Sequence, residues 1–189
     1  MLQPFIPIAR QALSDPREAA TTLMSMGVPR DALWPAFGLF VVLSAFLGSA
    51  SQLISPAPQG LAMSPVLFAI VSGLAGAVSV FAIWRIGRAM EGTGSFQETL
   101  LLMVFLQGIL FAGQLLELFL LLALPPLSGF FSIALVVFAF WLNINFVAAL
   151  HGFTSLWRAF GCLLLASAGV ALALIFLLTL FGVQQTGPV

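Results

Sequence analysis

The chain has 189 residues, of which 61% are hydrophobic and only 6% are charged. Because a soluble globular domain carries roughly a quarter of charged residues, this composition excludes that class and indicates an integral membrane protein. Six basic and six acidic residues give a formal net charge of zero, which argues against the basic surface of a nucleic-acid-binding protein.

Residues 1–31 precede the first long apolar run and predict a cytoplasmic N-terminal arm with one short interfacial helix. Asp15 supplies an N-cap, a proline follows it, and Glu18 lies three residues after the cap. Leu23 and Met24 belong to the apolar side of this helix. That side faces either the membrane surface, as a sensor, or the helical bundle, as a packed flap, and we favour the flap.

Five apolar runs follow the arm, each long enough to cross a hydrocarbon core of about 30 Å at about 1.5 Å per residue. They lie at residues 32–54, 64–84, 98–123, 127–149 and 159–182. Prolines mark several of the breaks between the runs. The sequence therefore predicts an all-α transmembrane bundle of five spans over residues 32–182, followed by a short outer tail at 183–189.

The arginines predict the orientation of the bundle. Three arginines precede the first span, Arg85 and Arg88 follow the second, and Arg158 precedes the fifth, whereas the loops on the other side contain no basic residue. Because basic residues in short loops stay in the cytoplasm, we expect a cytoplasmic N-terminus and an outer C-terminus. The exclusive use of arginine for basic residues is the usage expected of a GC-rich bacterial genome, which suggests a bacterial inner membrane.

A polar stripe runs along the third span. Gln107, Gln114 and Glu117 are spaced by seven and three residues, so they fall within an arc of about 80° on one helix face. An ionisable residue inside a span is a functional candidate because its desolvation is costly. The stripe therefore indicates either a transport path or, as we favour, a structural carboxylate near the outer end of the span.

The stretch between the second and third spans is the most polar segment outside the arm, and it contains Gly94 and Phe96. Gly92 suits the C-terminal cap of the second helix, and Ser95 with Glu98 predicts a capping box for the third. A phosphate-binding loop would carry a Lys-Ser/Thr pair, which is missing here. We therefore expect a cytoplasmic hinge, with docking of a protein partner as the alternative.

Polar and small residues inside the other spans predict helix packing. Asn143 and Asn145 are about 200° apart on the fourth helix, so they cannot face one site, and one of them is expected to hydrogen-bond between helices. In the second span, Ser72 and Gly76 form a small-x-x-x-small motif, which indicates close helix packing within the monomer or at a subunit interface.

Catalytic and metal-binding patterns are missing from the sequence. His151 is the only histidine and Cys162 the only cysteine, so the chain lacks the residues for a typical metal constellation or a catalytic triad. No zinc-protease or phosphate-loop motif occurs either. We expect a protein that is not an enzyme and that binds no cofactor and no metal.

Several segments resemble the Yip family, the Ypt/Rab-interacting five-span membrane proteins, and in particular its short prokaryotic members. Residues 14–18 are similar to the segment that precedes the family's first span, and residues 92–100 resemble its glycine-serine-aromatic loop. Trp141 and residues 151–159, which include His151 and Arg158, look like its tryptophan-to-histidine-glycine segment and the start of its last span.

The resemblance implies a five-span membrane protein without catalytic residues. Eukaryotic members are associated with Rab GTPases and vesicle traffic, but the short arm here lacks an extended acidic or aromatic segment, so a Rab-type partner is not expected. We expect a scaffold in contact with membrane lipid that recruits a protein partner or a second copy of itself. The alternative is a small transporter or channel subunit that uses the polar stripe.

Overall fold

The computed structural model describes residues 5–54 and 64–180, and within these ranges the chain forms seven α-helices. They are α1 (Phe5–Ser14), α2 (Pro16–Ser25), α3 (Arg30–Ile54), α4 (Pro65–Ala89), α5 (Phe96–Ala123), α6 (Pro125–His151) and α7 (Leu156–Leu180). The expected outer loop at residues 55–63 and the tail at 183–189 lie outside the described residues.

Five of these helices, α3 to α7, are long and apolar enough to cross a membrane. The all-α architecture and the number of spans predicted from the sequence are thus confirmed. The helix of the second span, α4, extends beyond the predicted apolar run: the run ends at residue 84, whereas α4 continues to Ala89. The part of α4 beyond the run carries Arg85 and, in the last turn, Arg88, and both are exposed.

Local chemistry explains where the spanning helices begin and end. Ser64 caps α4 by accepting a hydrogen bond from the backbone N–H of Leu67. Ser95 and Glu98 form the reciprocal capping box of α5, with donor–acceptor distances of 3.2 and 2.8 Å. The last turn of α6 is closed by Gly152, which has a φ of 66° and therefore adopts the left-handed conformation.

The helices α3 to α7 pack as a closed bundle in which α4 contacts each of the other four. The remaining contacts link α3 with α5, α5 with α6, and α6 with α7. Small residues of α4 face α3: a Cβ at Gly76 would lie 2.8 Å from the Phe37 ring, and one at Gly73 would lie 3.4 Å from Val41. These glycines serve packing within the monomer.

All the arginines lie at one end of the bundle, which contains the starts of α3, α5 and α7 and the ends of α4 and α6. We call it the arginine end, and the other the opposite end. The α1–α2 arm covers part of the arginine end, because α2 packs against α5 and α6. Ala19, Ala20 and Leu23 are fully buried there, so this side of α2 faces the bundle as a flap.

The arm differs from the sequence expectation in one respect. A single short helix is expected in residues 1–31, but the structure forms two, α1 and α2, which pack against each other. The N-cap at Asp15 is as expected, since its side chain accepts a hydrogen bond of 3.1 Å from the N–H of Glu18. The additional helix α1 buries Ile8 and Ala12, and this burial stabilises a segment too short to be helical alone.

Replacing Leu23 by alanine should loosen the arm from the bundle. Leu23 is fully buried, and truncating a buried leucine costs about 2–5 kcal/mol. We expect trypsin to cleave purified Leu23→Ala protein after Arg10 and Arg17 faster than the parent, as measured by gel and mass spectrometry. Thr22→Ala, at an exposed neighbouring position, is the matched control. Equal cleavage rates for Leu23→Ala and the parent would show that the arm does not depend on this contact.

Candidate functional site

The loop between α4 and α5 is held tightly against the end of α6 at the arginine end. His151, the last residue of α6, is 2% exposed and its ring lies between Gly87 of α4 and Gly92 of the loop. A Cβ at Gly87 would overlap Nε2 of the ring, and a Cβ at Gly92 would lie 2.5 Å from Nδ1. Only hydrogen fits at either position.

The residue that turns the chain after α4 is Glu91, which corrects the expectation that Gly92 is the cap. Glu91 has a φ of 68°, in the left-handed region, and its N–H donates to the carbonyl of Arg88. The N–H of Gly92 donates to the carbonyl of Gly87 at 2.8 Å, which completes a Schellman motif. Gly92 is therefore needed for the close approach of His151, while Glu91 adopts the conformation usually left to glycine.

The next two residues of the loop extend the contact with α6. A Cβ at Gly94 would lie 2.6 Å from Cγ of Leu150 and 2.8 Å from its carbonyl oxygen. The N–H of Thr93 donates to the carbonyl of His151 at 3.4 Å. Together with the contacts of His151, these interactions make the loop a fixed part of the bundle.

Phe96 ties the start of α5 to α3 and α4 through aromatic contacts. Its ring centroid lies 6.4 Å from that of Trp34 and 5.8 Å from that of Trp84. The guanidinium of Arg30 lies over the Phe96 ring, 5.5 Å from its centroid, at a cation–π distance. The glycine-serine-aromatic loop is thus a structural junction of three helices.

Arg158 connects the loop to the start of α7. Its guanidinium lies 3.5 Å from the carboxylate of Glu91 and 5.5 Å from the centroid of the Phe153 ring. Both side chains of the ion pair are largely exposed, at 51% and 87%, so water screens the attraction and it adds little stability. Arg158 and Glu91 thus lie together on the surface of the arginine end.

The predicted polar stripe on α5 is divided between two separate cavities. Gln107 lines a cavity of about 220 Å³ in the centre of the bundle, to which all five spanning helices contribute. Glu117 lines a second cavity of about 260 Å³ near the opposite end. Gln114 lies between them on the helix and lines neither.

The central cavity brings together polar residues from four helices. Ser79 of α4, Gln107 of α5, Asn143 of α6 and Ser167 of α7 all line it. Asn145 is turned away, and its Nδ2 donates to the carbonyl of Trp141 on its own helix at 2.8 Å. The two asparagines thus face different surroundings, as their angular separation predicts. The expected hydrogen bond between helices is not formed by either of them among the described residues, because Asn145 bonds to its own helix and Oδ1 of Asn143 has no partner.

Glu117 has a local partner at the opposite end. The hydroxyl of Ser132 on α6 donates to its Oε1, and Ser51, Gln52 and Ser128 line the same cavity. The carboxylate lies six residues before the end of α5 at Ala123, about 9 Å along the axis. Glu117 is therefore paired near the end of its span.

Gly87, Ser132 and Ser167 are among the residues of these regions that the sequence analysis did not single out. Gly87 and Ser132 offer no signal by themselves, because their roles depend on residues that are distant along the chain, His151 and Glu117. Ser167 is an isolated hydroxyl in the apolar middle of α7, and such residues are common in membrane spans.

A metal site is not supported by the part of the chain that the structure describes. Among residues 5–54 and 64–180, no three His, Cys, Asp or Glu residues come together as ligands. Cys162 is fully buried, and its sulfur lies 3.8 Å from the carbonyl oxygen of Ile83.

The fold and the polar regions define a multi-span integral membrane protein with five candidate spans. The model of the Yip1 domain family matches residues 10–180, which is most of the chain. This chain therefore belongs to the Yip1 domain family, which is non-catalytic. No curated protein and no solved structure matches it.

Alanine at position 87 should destabilise the protein through a clash with His151. Overpacking of this kind costs about 1–3 kcal/mol, so we expect a lower unfolding temperature for Gly87→Ala in detergent. In a His151→Ala background the ring is gone, and the added cost of Gly87→Ala should largely disappear. The measurement is a double-mutant cycle of thermal unfolding.

Gly161→Ala is the matched control, because an added Cβ there meets nothing within 4 Å. It should be neutral or stabilising by up to about 1 kcal/mol through helix propensity. An equal cost of Gly87→Ala with and without the imidazole would contradict the proposed contact.

Proposed function

We propose that this protein is a non-catalytic membrane scaffold that presents its arginine end to a protein partner in the cytoplasm. The observation that carries the proposal is the fixed loop between α4 and α5. The loop is locked to His151 and Leu150 by close glycine contacts, yet its polar side chains point outward. A loop that is both rigid and exposed loses little entropy when a partner binds.

The exposed side chains around this loop form a surface that we call the platform. It consists of Arg88, Glu91, Thr93, Thr154 and Arg158. The platform carries charges of both signs close together, with Glu91 beside Arg158. A mixed surface of this kind is suited to a protein partner with complementary charges, since such charges give specificity and orientation.

The cytoplasmic orientation is part of the proposal. The arginines lie at one end of the bundle, and basic residues near the ends of spans favour the cytoplasmic side. The exclusive use of arginine as the basic residue supports a bacterial inner membrane as the location.

Transport receives less support from the geometry. Gln107 and Glu117 line separate cavities, and Gln114 lines neither of them. Glu117 is also occupied by a hydrogen bond from Ser132. A path through the bundle would need polar side chains that connect the two cavities, and the stripe on α5 does not provide them.

Labelling of single cysteines should establish the orientation. In a Cys162→Ala background, Thr93→Cys places a thiol on the platform and Leu124→Cys places one at the opposite end; both positions are exposed. We expect a membrane-impermeant maleimide to label Leu124→Cys in intact spheroplasts and Thr93→Cys only after lysis. The reverse pattern would overturn the orientation. The Cys162→Ala protein without an added cysteine is the control for nonspecific labelling.

Photo-crosslinking in living cells should test the scaffold proposal. A photoreactive amino acid at Thr93 should capture a discrete protein, and the same amino acid at Leu124 should not. Arg88→Glu should reduce the yield of the adduct at Thr93, because it reverses a charge of the platform.

Arg10→Glu is the matched control, since it makes the same charge change at an exposed position of α1 outside the platform. It should leave the adduct at Thr93 unchanged. An adduct of twice the chain mass would identify a second copy as the partner. A lack of any discrete adduct at Thr93 in cells that contain folded protein would contradict the scaffold proposal.

A further inference from the structure

The central cavity has a polar belt at one level within the membrane-spanning bundle. We use this name for Ser79, Gln107, Asn143 and Ser167, which line the cavity from four different helices. Their distances from the arginine end, counted along each helix, are about 12–17 Å at 1.5 Å per residue. The four side chains thus lie at similar depth, well inside the hydrocarbon region.

The two carboxamides of the belt have unmet hydrogen-bonding capacity. Oε1 of Gln107 and Oδ1 of Asn143 are buried, and neither has a partner among the residues that the structure describes. Most described hydroxyls in the spans, in contrast, bond to their own helix: the Ser79 hydroxyl donates to the carbonyl of Ala75 at 2.7 Å. Buried polar groups are normally paired, because an unpaired one costs free energy. The two carboxamides therefore need a partner that the described residues do not supply.

The size and lining of the cavity indicate a partner larger than one water molecule. Its volume of about 220 Å³ exceeds the roughly 150 Å³ of a protein cavity that holds benzene. The rest of the lining is mainly apolar and includes Phe37, Leu106 and Leu163. Such a lining suits an apolar chain, and the belt suits a polar head.

The lack of charged lining residues and the position of the cavity indicate the chemical class of the ligand more closely. No Asp, Glu, Lys, Arg or His is among the residues that line it, so a charged head would be left without a counter-charge in a medium of low dielectric constant. Ser167 lines the cavity and is itself exposed on α7. The cavity therefore reaches the side of the bundle that faces lipid, rather than an aqueous end.

We propose that the polar belt binds the head of an uncharged, hydroxyl-bearing single-chain lipid that enters from the bilayer beside α7. A hydroxyl group both donates and accepts hydrogen bonds, so it complements a carboxamide in either orientation of its oxygen and nitrogen. Two hydroxyls would serve Gln107 and Asn143 together. This site is independent of the platform, and its occupancy does not require a protein partner.

A monoacylglycerol with a diazirine in its acyl chain is a suitable probe, because its head is uncharged and carries two hydroxyls. The full chain is purified in detergent, irradiated with the probe and digested, and adducts are mapped by mass spectrometry. We expect adducts on lining residues such as Met103 and Leu163. Unlabelled monoacylglycerol should compete for them, whereas a fatty acid methyl ester of equal chain length, which has no donor, should compete at least about fivefold less well.

Variants of the polar belt test whether its carboxamides are needed for binding of the lipid. Gln107→Leu combined with Asn143→Leu removes both carboxamides and should lower labelling in the cavity by about fivefold or more. Gln114→Leu is the matched control: it makes the same change on the same face of α5, at a residue that also has an unpartnered buried oxygen but does not line the cavity. Its labelling should equal that of the parent.

Three results would overturn the proposal. The methyl ester could compete as well as monoacylglycerol, the double variant could label as strongly as the parent, or folded protein could give no adduct in the cavity. The last result would assign the cavity to water. The competition measurement uses the unaltered protein, so the test stands even if the double variant does not fold.

Discussion

The imidazole of His151 fills the space that side chains at positions 87 and 92 would occupy. This contact fixes the end of α4, the loop after it and the end of α6 against one another. The turn that delivers Gly92 to the ring requires a left-handed residue, and Glu91 adopts that conformation, which is unfavourable for a residue other than glycine. The tight packing of His151 and the Schellman hydrogen bonds hold it there, so the order of the arginine end depends on this one close approach.

Lipid as the solvent imposes the second constraint on the molecule. Backbone groups inside the membrane must be satisfied internally, which favours helices, and polar side chains must find partners in the bundle. Most of the described hydroxyls in the spans meet this requirement by bonding to their own helix, as Ser49 and Ser72 do. The carboxamide oxygens of Gln107, Gln114 and Asn143 do not, and the central cavity is the place where two of these carboxamides, Gln107 and Asn143, meet from different helices.

Some features of the site were predictable and others were not. The capping box of Ser95 and Glu98 follows from residues three apart, and local spacing is readable from sequence. The helix α1 was missed because ten residues are too few for a stable isolated helix, and its stability comes from burial against the rest of the protein. The sequence predicts Gly92 as the cap after α4, because glycine usually takes that role. In the structure Glu91 takes the left-handed position, and Gly92 lies in close contact with His151.

The sequence by itself determined the class of protein, the number of spans and the clustering of arginines, because these depend on the length, polarity and charge of continuous segments. The tertiary structure decided which polar residues share a site. Gln107 and Glu117 lie on one face of one helix, yet they line different cavities, while Gln107 meets Asn143 from another helix. Which polar residues line the same cavity depends on the relative depth and rotation of neighbouring helices. Side-chain packing between the helices determines both.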